Sequence, residues 1–165
     1  MKHFDYFAPT EIIFGAGRVT EAGALAARYG KKAMLVTVPE FPAVAELYAK
    51  VKKSLADAGV ACVHYDGVIP NPTTELVTRG AELAKAEGVD VVIGLGGGSS
   101  MDTAKAIAVE ATHPGTAWDY NCHTAGPTEQ TLPILAISTT AGTGSQTTPC
   151  AVITKTSAKD KSAIW

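Results

Sequence analysis

The sequence predicts an α/β domain: a Rossmann-like layered fold with a mainly parallel sheet and helices on both faces. Two observations carry this expectation. Short apolar runs alternate with Ala-rich amphipathic stretches along most of the chain, which is the pattern of repeated strand and helix units. The run Val91-Val92-Ile93 is apolar without alternation, as a strand covered on both faces must be, and it opens straight into a glycine-rich turn and a helical pattern.

Taken in order, Glu11-Ile12-Ile13-Phe14 reads as a short strand ended by Gly15-Ala16-Gly17, and residues 18–29 read as a helix stopped by Gly30. Ala33 to Thr37 is a buried strand, with Pro39 and Pro42 in the loop that follows. Residues 43–58 form the next helix, closed by Gly59, and Val60 to Tyr65 the next strand. Asn71-Pro72-Thr73-Thr74 reads as the cap of a helix running to about Glu87. Val89 to Ile93 is the following strand, residues 94–100 its exit turn and 101–111 a helix. A polar stretch from His113 to Thr131 precedes a strand at Pro133 to Ser138. Ala151 to Thr154 and Ser162 to Trp165 are extended pieces on either side of a polar hairpin, and the stop within an apparent strand suggests the front half of something longer.

Composition narrows the function classes. The chain has 165 residues, a formal net charge of −2, 46% hydrophobic and 18% charged residues. That fits a single domain spanning 1–165 and excludes a disordered chain. No basic cluster offers a nucleic-acid surface, and no apolar run approaches the roughly 20 residues of a membrane span. Cys62, Cys122 and Cys150 are odd in number and form no CxxC pair, which suggests a reducing, cytoplasmic setting. The opening MKHFDYFAPT lacks the apolar core of a secretory leader.

The strongest chemical signal is Gly94-Leu95-Gly96-Gly97-Gly98-Ser99-Ser100. Glycines after a buried strand let backbone N–H groups approach a phosphate, and the next helix turns its positive end to the same anion. Asp102 stands ready to cap the first turn. The spacing is GxGxxS and not GxGxxG, so a ligand-free tight turn stands beside the phosphate reading. The second signal is Ser138 to Ser145, where glycines and small hydroxyl residues again follow an apolar strand. The two loops together predict one cleft between 94–100 and 138–145. Lys105, one turn into the helix, reads equally as a site residue or a surface lysine. His113, Cys122 and His123 share a loop but lack a fourth ligand, so no metal site is expected there.

Gly96 to Lys105, in GGGSSMDTAK, resembles the GGGSxxDxAK signature of the iron-containing, or group III, alcohol dehydrogenases. Thr139 to Ser145 with Ala151 to Thr154 is similar to that family's second N-terminal signature, and Phe7 to Gly15, Asn71-Pro72 and Trp118-Asp119-Tyr120 fit it too. The resemblance implies the NAD(P)-binding half of a two-domain dehydrogenase that moves a hydride between NAD or NADP and a small alcohol, aldehyde or ketone. Such proteins carry an all-helical C-terminal domain whose aspartate and histidines bind Fe2+ or another divalent metal, and that domain is missing here. The resemblance therefore gives this chain cofactor-binding residues but no catalytic and no metal-binding ones, and it suggests a homo-oligomer. Gly96, Gly97, Gly98 and Ser99 would hold the pyrophosphate beside Asp102. Thr139, Thr140 and Thr143 would contact phosphates, ribose or adenine, Asn71 would lie beside the adenosine, and Lys161 would reach a ribose hydroxyl. Val38 stands where many members have an aspartate for the adenosine ribose, which predicts weak discrimination between NAD and NADP. Gln146 stands where members often have Glu. The alternative is a stand-alone nucleotide-binding module without catalysis.

Overall fold

The computed structural model describes residue 3 and residues 8–121, 124 and 126–164. Four parallel strands form the main sheet: β1 (Lys32–Val36), β2 (Ala61–Tyr65), β3 (Val91–Gly96) and β4 (Ile134–Ser138), in the order β2-β1-β3-β4. Residue pairs Met34–Val63, Met34–Val92 and Val92–Ile134 run straight across it. Antiparallel strands β5 (Ala151–Lys155) and β6 (Asp160–Ile164) make a separate ribbon.

Helices α1 (Ala22–Ala26) and α2 (Pro42–Asp57) cover one face of the sheet, and α3 (Thr74–Glu87) and α4 (Gly98–Glu110) the other. Alternation in β1 divides its side chains between two cores. Ala33 and Leu35 face α1 and α2, together with Val51, Leu55, Val91, Ile93 and Leu95. Met34 and Val36 face the other side with Val77, Val92, Ala104, Ile107 and the ribbon residues Ile153 and Ile164. Each of these large aliphatic side chains contributes about 1.5–3 kcal/mol on burial. The expected layered α/β class, with a parallel sheet and helices on both faces, is the fold observed.

The chain order explains where a ligand can sit. From β1 the chain passes through α2 to β2 on one side, then crosses through α3 to β3 on the other side of β1. Strand order therefore reverses between β1 and β3, and the crevice of such a sheet opens beyond the carboxyl ends of those two strands.

Several elements differ from expectation. Glu11 to Phe14 forms no strand, and Ile12 is 71% and Phe14 91% exposed. Strand propensity alone does not hold a backbone whose N–H and C=O groups have no partner strand. The helix expected over 18–29 is a 3-10 turn at Arg18–Glu21 followed by the short α1. The glycine-rich turn is tighter than expected, because β3 extends to Gly96 and α4 begins at Gly98. The closing extended piece, by contrast, pairs across the expected hairpin: Ile164 lies opposite Ala151 and bridges to Asn121, while Trp165 lies outside the described residues.

Candidate functional site

The α3 cap falls within the stretch expected to supply it, Asn71 to Thr74. Thr73, not Asn71, is the N-cap, its hydroxyl accepting from the Leu76 N–H. Asn71 adopts a left-handed backbone (φ 55°), and its Oδ1 accepts from Lys161 Nζ at 2.7 Å. The two residues sit ninety positions apart in sequence, and the β5–β6 ribbon closes that gap. Thr154 N–H donates to the Pro72 carbonyl at 2.8 Å, which fixes the ribbon beside the loop after β2. Asn71 and Lys161 thus form one polar pair.

At the end of β3, Gly96 has φ 142°, a conformation that side chains rarely adopt, and a Cβ there would lie 2.6 Å from Ser100 Oγ. The chain then turns into α4 with Gly97 as N-cap and no side-chain cap; Asp102 does not fill that role. Ser100 and Met101 N–H groups turn back to the Gly97 carbonyl at 3.1 and 3.2 Å. Those of Gly98 and Ser99 precede the helical ladder, and the space at Gly98 is open, since a Cβ there would meet nothing within 4 Å. Ser100 Oγ is buried without a partner. An uncapped helix N-terminus, open space above it and an unpartnered buried hydroxyl fit an anion such as a dinucleotide pyrophosphate.

The second loop lies directly beside this turn. Gly96 pairs with Ser138 across the sheet, Thr139 N–H donates to the Gly96 carbonyl at 3.0 Å, and a Cβ on Gly97 would stand 3.3 Å from Thr140 Cγ2. Thr139, Thr140 and Thr143 are exposed. The structure brings the loops at 94–100 and 138–145 together on one edge of the sheet.

Asp102 and Lys105 point the other way, behind the second loop. Asp102 Oδ1 accepts from Ser145 Oγ at 2.7 Å and Oδ2 from Val152 N–H at 3.2 Å. Lys105 is buried, and its Nζ donates to the Ser145 carbonyl, to Ser145 Oγ and to the Cys150 carbonyl at 2.6, 2.8 and 2.7 Å. Burial pushes the Lys105 pKa down, and Asp102, 4.0 Å away, opposes that shift. Gln146, in the same loop, has a buried Oε1 with no partner.

Val38 lies two residues beyond β1 and is half-buried; its carbonyl accepts from Thr37 Oγ1 at 2.7 Å and Tyr48 OH at 3.3 Å. Thr37 Oγ1 in turn meets His64 Nε2 at 2.9 Å. Since the Thr37 proton is committed to Val38, the imidazole donates. Burial lowers the His64 pKa, and the Lys52 charge adds to the effect. Thr37 and His64 carried no motif in the sequence; only the β1–β2 register brings them together.

His113 is committed to structure: Thr128 N–H donates to its Nε2 and its Nδ1 faces the Val109 carbonyl, both at 2.9 Å. Cys122 and His123 lie outside the described residues. Among the described residues, no group of three or more His, Cys, Asp or Glu could hold a metal ion, and no helix is long and apolar enough to cross a membrane.

The glycine turn, the second loop and the ribbon agree in both sequence and placement with one family. The family model for iron-containing alcohol dehydrogenases matches residues 9–165. The chain belongs to the iron-containing alcohol dehydrogenase family. It is 46% identical over 158 residues to a choline dehydrogenase of Bacillus subtilis (strain 168), covering 93% of this chain and 39% of that protein. It is 37% identical over 168 residues to a 1,3-propanediol dehydrogenase of Citrobacter freundii, covering 99% and 42%. Among solved structures, an archaeal halo-thermophilic alcohol dehydrogenase from a Red Sea brine pool superposes with a TM-score of 0.94 at 41% identity, covering 99% of this chain and 43% of that one. A butanol dehydrogenase of Thermotoga maritima gives 0.90 at 34% identity, with 99% and 41% coverage. The chain therefore spans about two fifths of the length of the iron-containing alcohol dehydrogenases it matches.

Proposed function

We propose that this chain binds NAD across the carboxyl edge of its sheet and serves, within a longer iron-dependent dehydrogenase, a hydride transfer between nicotinamide and a small alcohol or aldehyde. The observation that carries the reading is the bare N-terminus of α4, with the Gly98 and Ser99 N–H groups free of the ladder and Ser100 Oγ unpartnered. A helix end of this kind presents about half an elementary positive charge to a bound anion. The Gly97, Gly98 and Ser99 backbone holds the pyrophosphate against it, and the hydroxyls of Thr139, Thr140 and Thr143 line the neighbouring wall. Lys161 spends one proton on Asn71 and keeps two for a ribose diol, so the pair acts on one sugar. Val38 offers neither an acceptor for a 2′-hydroxyl nor a charge against a 2′-phosphate, so NADP is accepted as well as NAD.

Iron, when bound, acts as a Lewis acid on the substrate oxygen. The described residues do not supply its donor set, so their part is to bind and orient the cofactor. The relatives include dehydrogenases named for 1,3-propanediol and butanol, which supports a small alcohol as substrate. We assign the protein to the cytoplasm on its three widely spaced cysteines, which form no CxxC motif, and to a homo-oligomer on its exposed Ile12 and Phe14.

Calorimetric titration of NAD into the chain, beside Gly98→Val, tests the reading. The valine enters open space, so the variant folds, and NAD affinity falls at least tenfold. Equal affinity for the two proteins would overturn it.

A further inference from the structure

We propose that Lys105 is a positioning residue for cofactor binding: its ammonium anchors the 139–150 loop to α4 from behind and so sets the gap between that loop and the helix N-terminus. This inference rests on the dinucleotide reading of the cleft. Lys105 makes no use of the cleft itself. Its three protons meet three acceptors, the carbonyls of Ser145 and Cys150 and the Ser145 hydroxyl, so the full set needs the charged form. Ser145 Oγ in turn donates a hydrogen bond to Oδ1 of Asp102, whose second oxygen accepts from the Val152 N–H. Asp102 thereby supplies both the counter-charge and the tie to the start of β5. The loop is held at its other end by the Thr139–Gly96 hydrogen bond.

The consequence is mechanical. One helix carries the phosphate-facing N–H groups at its first turn and, two turns on, the cation that fixes the opposing wall. Between the two anchors, residues 140–144 make a glycine-containing bridge that takes left-handed backbone at Gly142 and Gly144. The bridge is tied near its start by Ser138 Oγ, which donates to the Thr140 carbonyl at 2.6 Å, and at its far end by Lys105, so the width of the cleft follows from these anchors. The same network resolves the two sequence readings of Lys105: it is neither a cofactor ligand nor a surface residue.

The test compares the wild-type chain with Lys105→Met, Ser145→Ala and the double variant, by NAD titration and by amide hydrogen exchange. Lys105→Met is expected to weaken NAD binding at least tenfold and to speed exchange within 139–150 while β1 and β3 keep their protection. Ser145→Ala, which leaves two of the three lysine hydrogen bonds, gives a smaller loss and keeps the proposal testable if the methionine variant does not fold. Because lysine and serine act as one unit, the double variant is expected to bind no more weakly than Lys105→Met. NAD affinity within threefold of wild type, additive losses, or faster exchange spread evenly through the core would each overturn the proposal. Failure of the wild-type chain to bind NAD would instead refute the dinucleotide reading, and the exchange comparison would still decide whether Lys105 holds the loop.

Discussion

Gly94 lies in β3 beneath the first turns of α4, and a methyl group added there probes how closely strand and helix must approach. A Cβ at this position would stand 2.9 Å from Met101 Cα, 3.0 Å from Ala104 Cβ and 3.2 Å from the Ser100 carbonyl. Two of these neighbours are backbone and the third is a methyl at the stem of a helix, so no flexible side chain can swing aside. Overpacking of this kind costs about 1–3 kcal/mol. The alanine lowers the entropy of the unfolded chain, which offsets about 0.4–1 kcal/mol. The two together leave a net loss centred on about 1.3 kcal/mol, which lowers Tm by about 3–5 °C in a domain of this size. Thermal and urea unfolding of Gly94→Ala measure the loss, and NAD titration shows its effect on the cleft, because α4 must move away from Gly96 and Thr139. A variant as stable as wild type would refute the close-packing argument; a destabilised variant with unchanged NAD affinity would refute the link from packing to the cleft.

Two further outcomes follow from the end of β1. His64 has a lowered pKa in the folded chain, so the unfolded chain binds more protons as pH falls through the unfolded value near 6.5. The stability this gives is present above that pH and lost below it; Tm measured between pH 8 and pH 5 should fall less for His64→Gln than for wild type. Val38→Asp should favour NAD over NADP by about tenfold or more, the worth of a charge-assisted hydrogen bond of about 1.5–3 kcal/mol, as read by parallel titration with both cofactors.

Strong local signals were legible in the sequence wherever local and tertiary preferences agree. The uniformly apolar Val91-Val92-Ile93 is central and buried, and α3 ends at Glu87 as expected; Pro42, which reads as a loop residue, is instead the first residue of α2, the position proline favours. The tight strand-to-helix turn at 94–100 is legible because glycine spacing encodes backbone geometry directly. What escaped depends on contacts distant in sequence. Glu11 to Phe14 has strand propensity but, among the described residues, pairs with no strand. Asp102 reads as a cap from its place near a helix start, yet its partners, Ser145 and Val152, stand 43 and 50 residues away. Asn71 and Lys161 were assigned separate roles, and only the packing of the β5–β6 ribbon makes them one pair. Lys105 could not be resolved because helical position says nothing of what a neighbouring loop brings to it.

A dinucleotide bound as proposed lies against the N-terminus of α4 and the wall formed by the second loop. Amide chemical shifts of the 15N-labelled chain, followed during NAD titration, test it most directly. The largest shifts are expected at Gly97, Gly98, Ser99, Thr139 and Thr140, saturating together, with little change along α2. Saturating shifts centred elsewhere, or none at millimolar NAD, would contradict it.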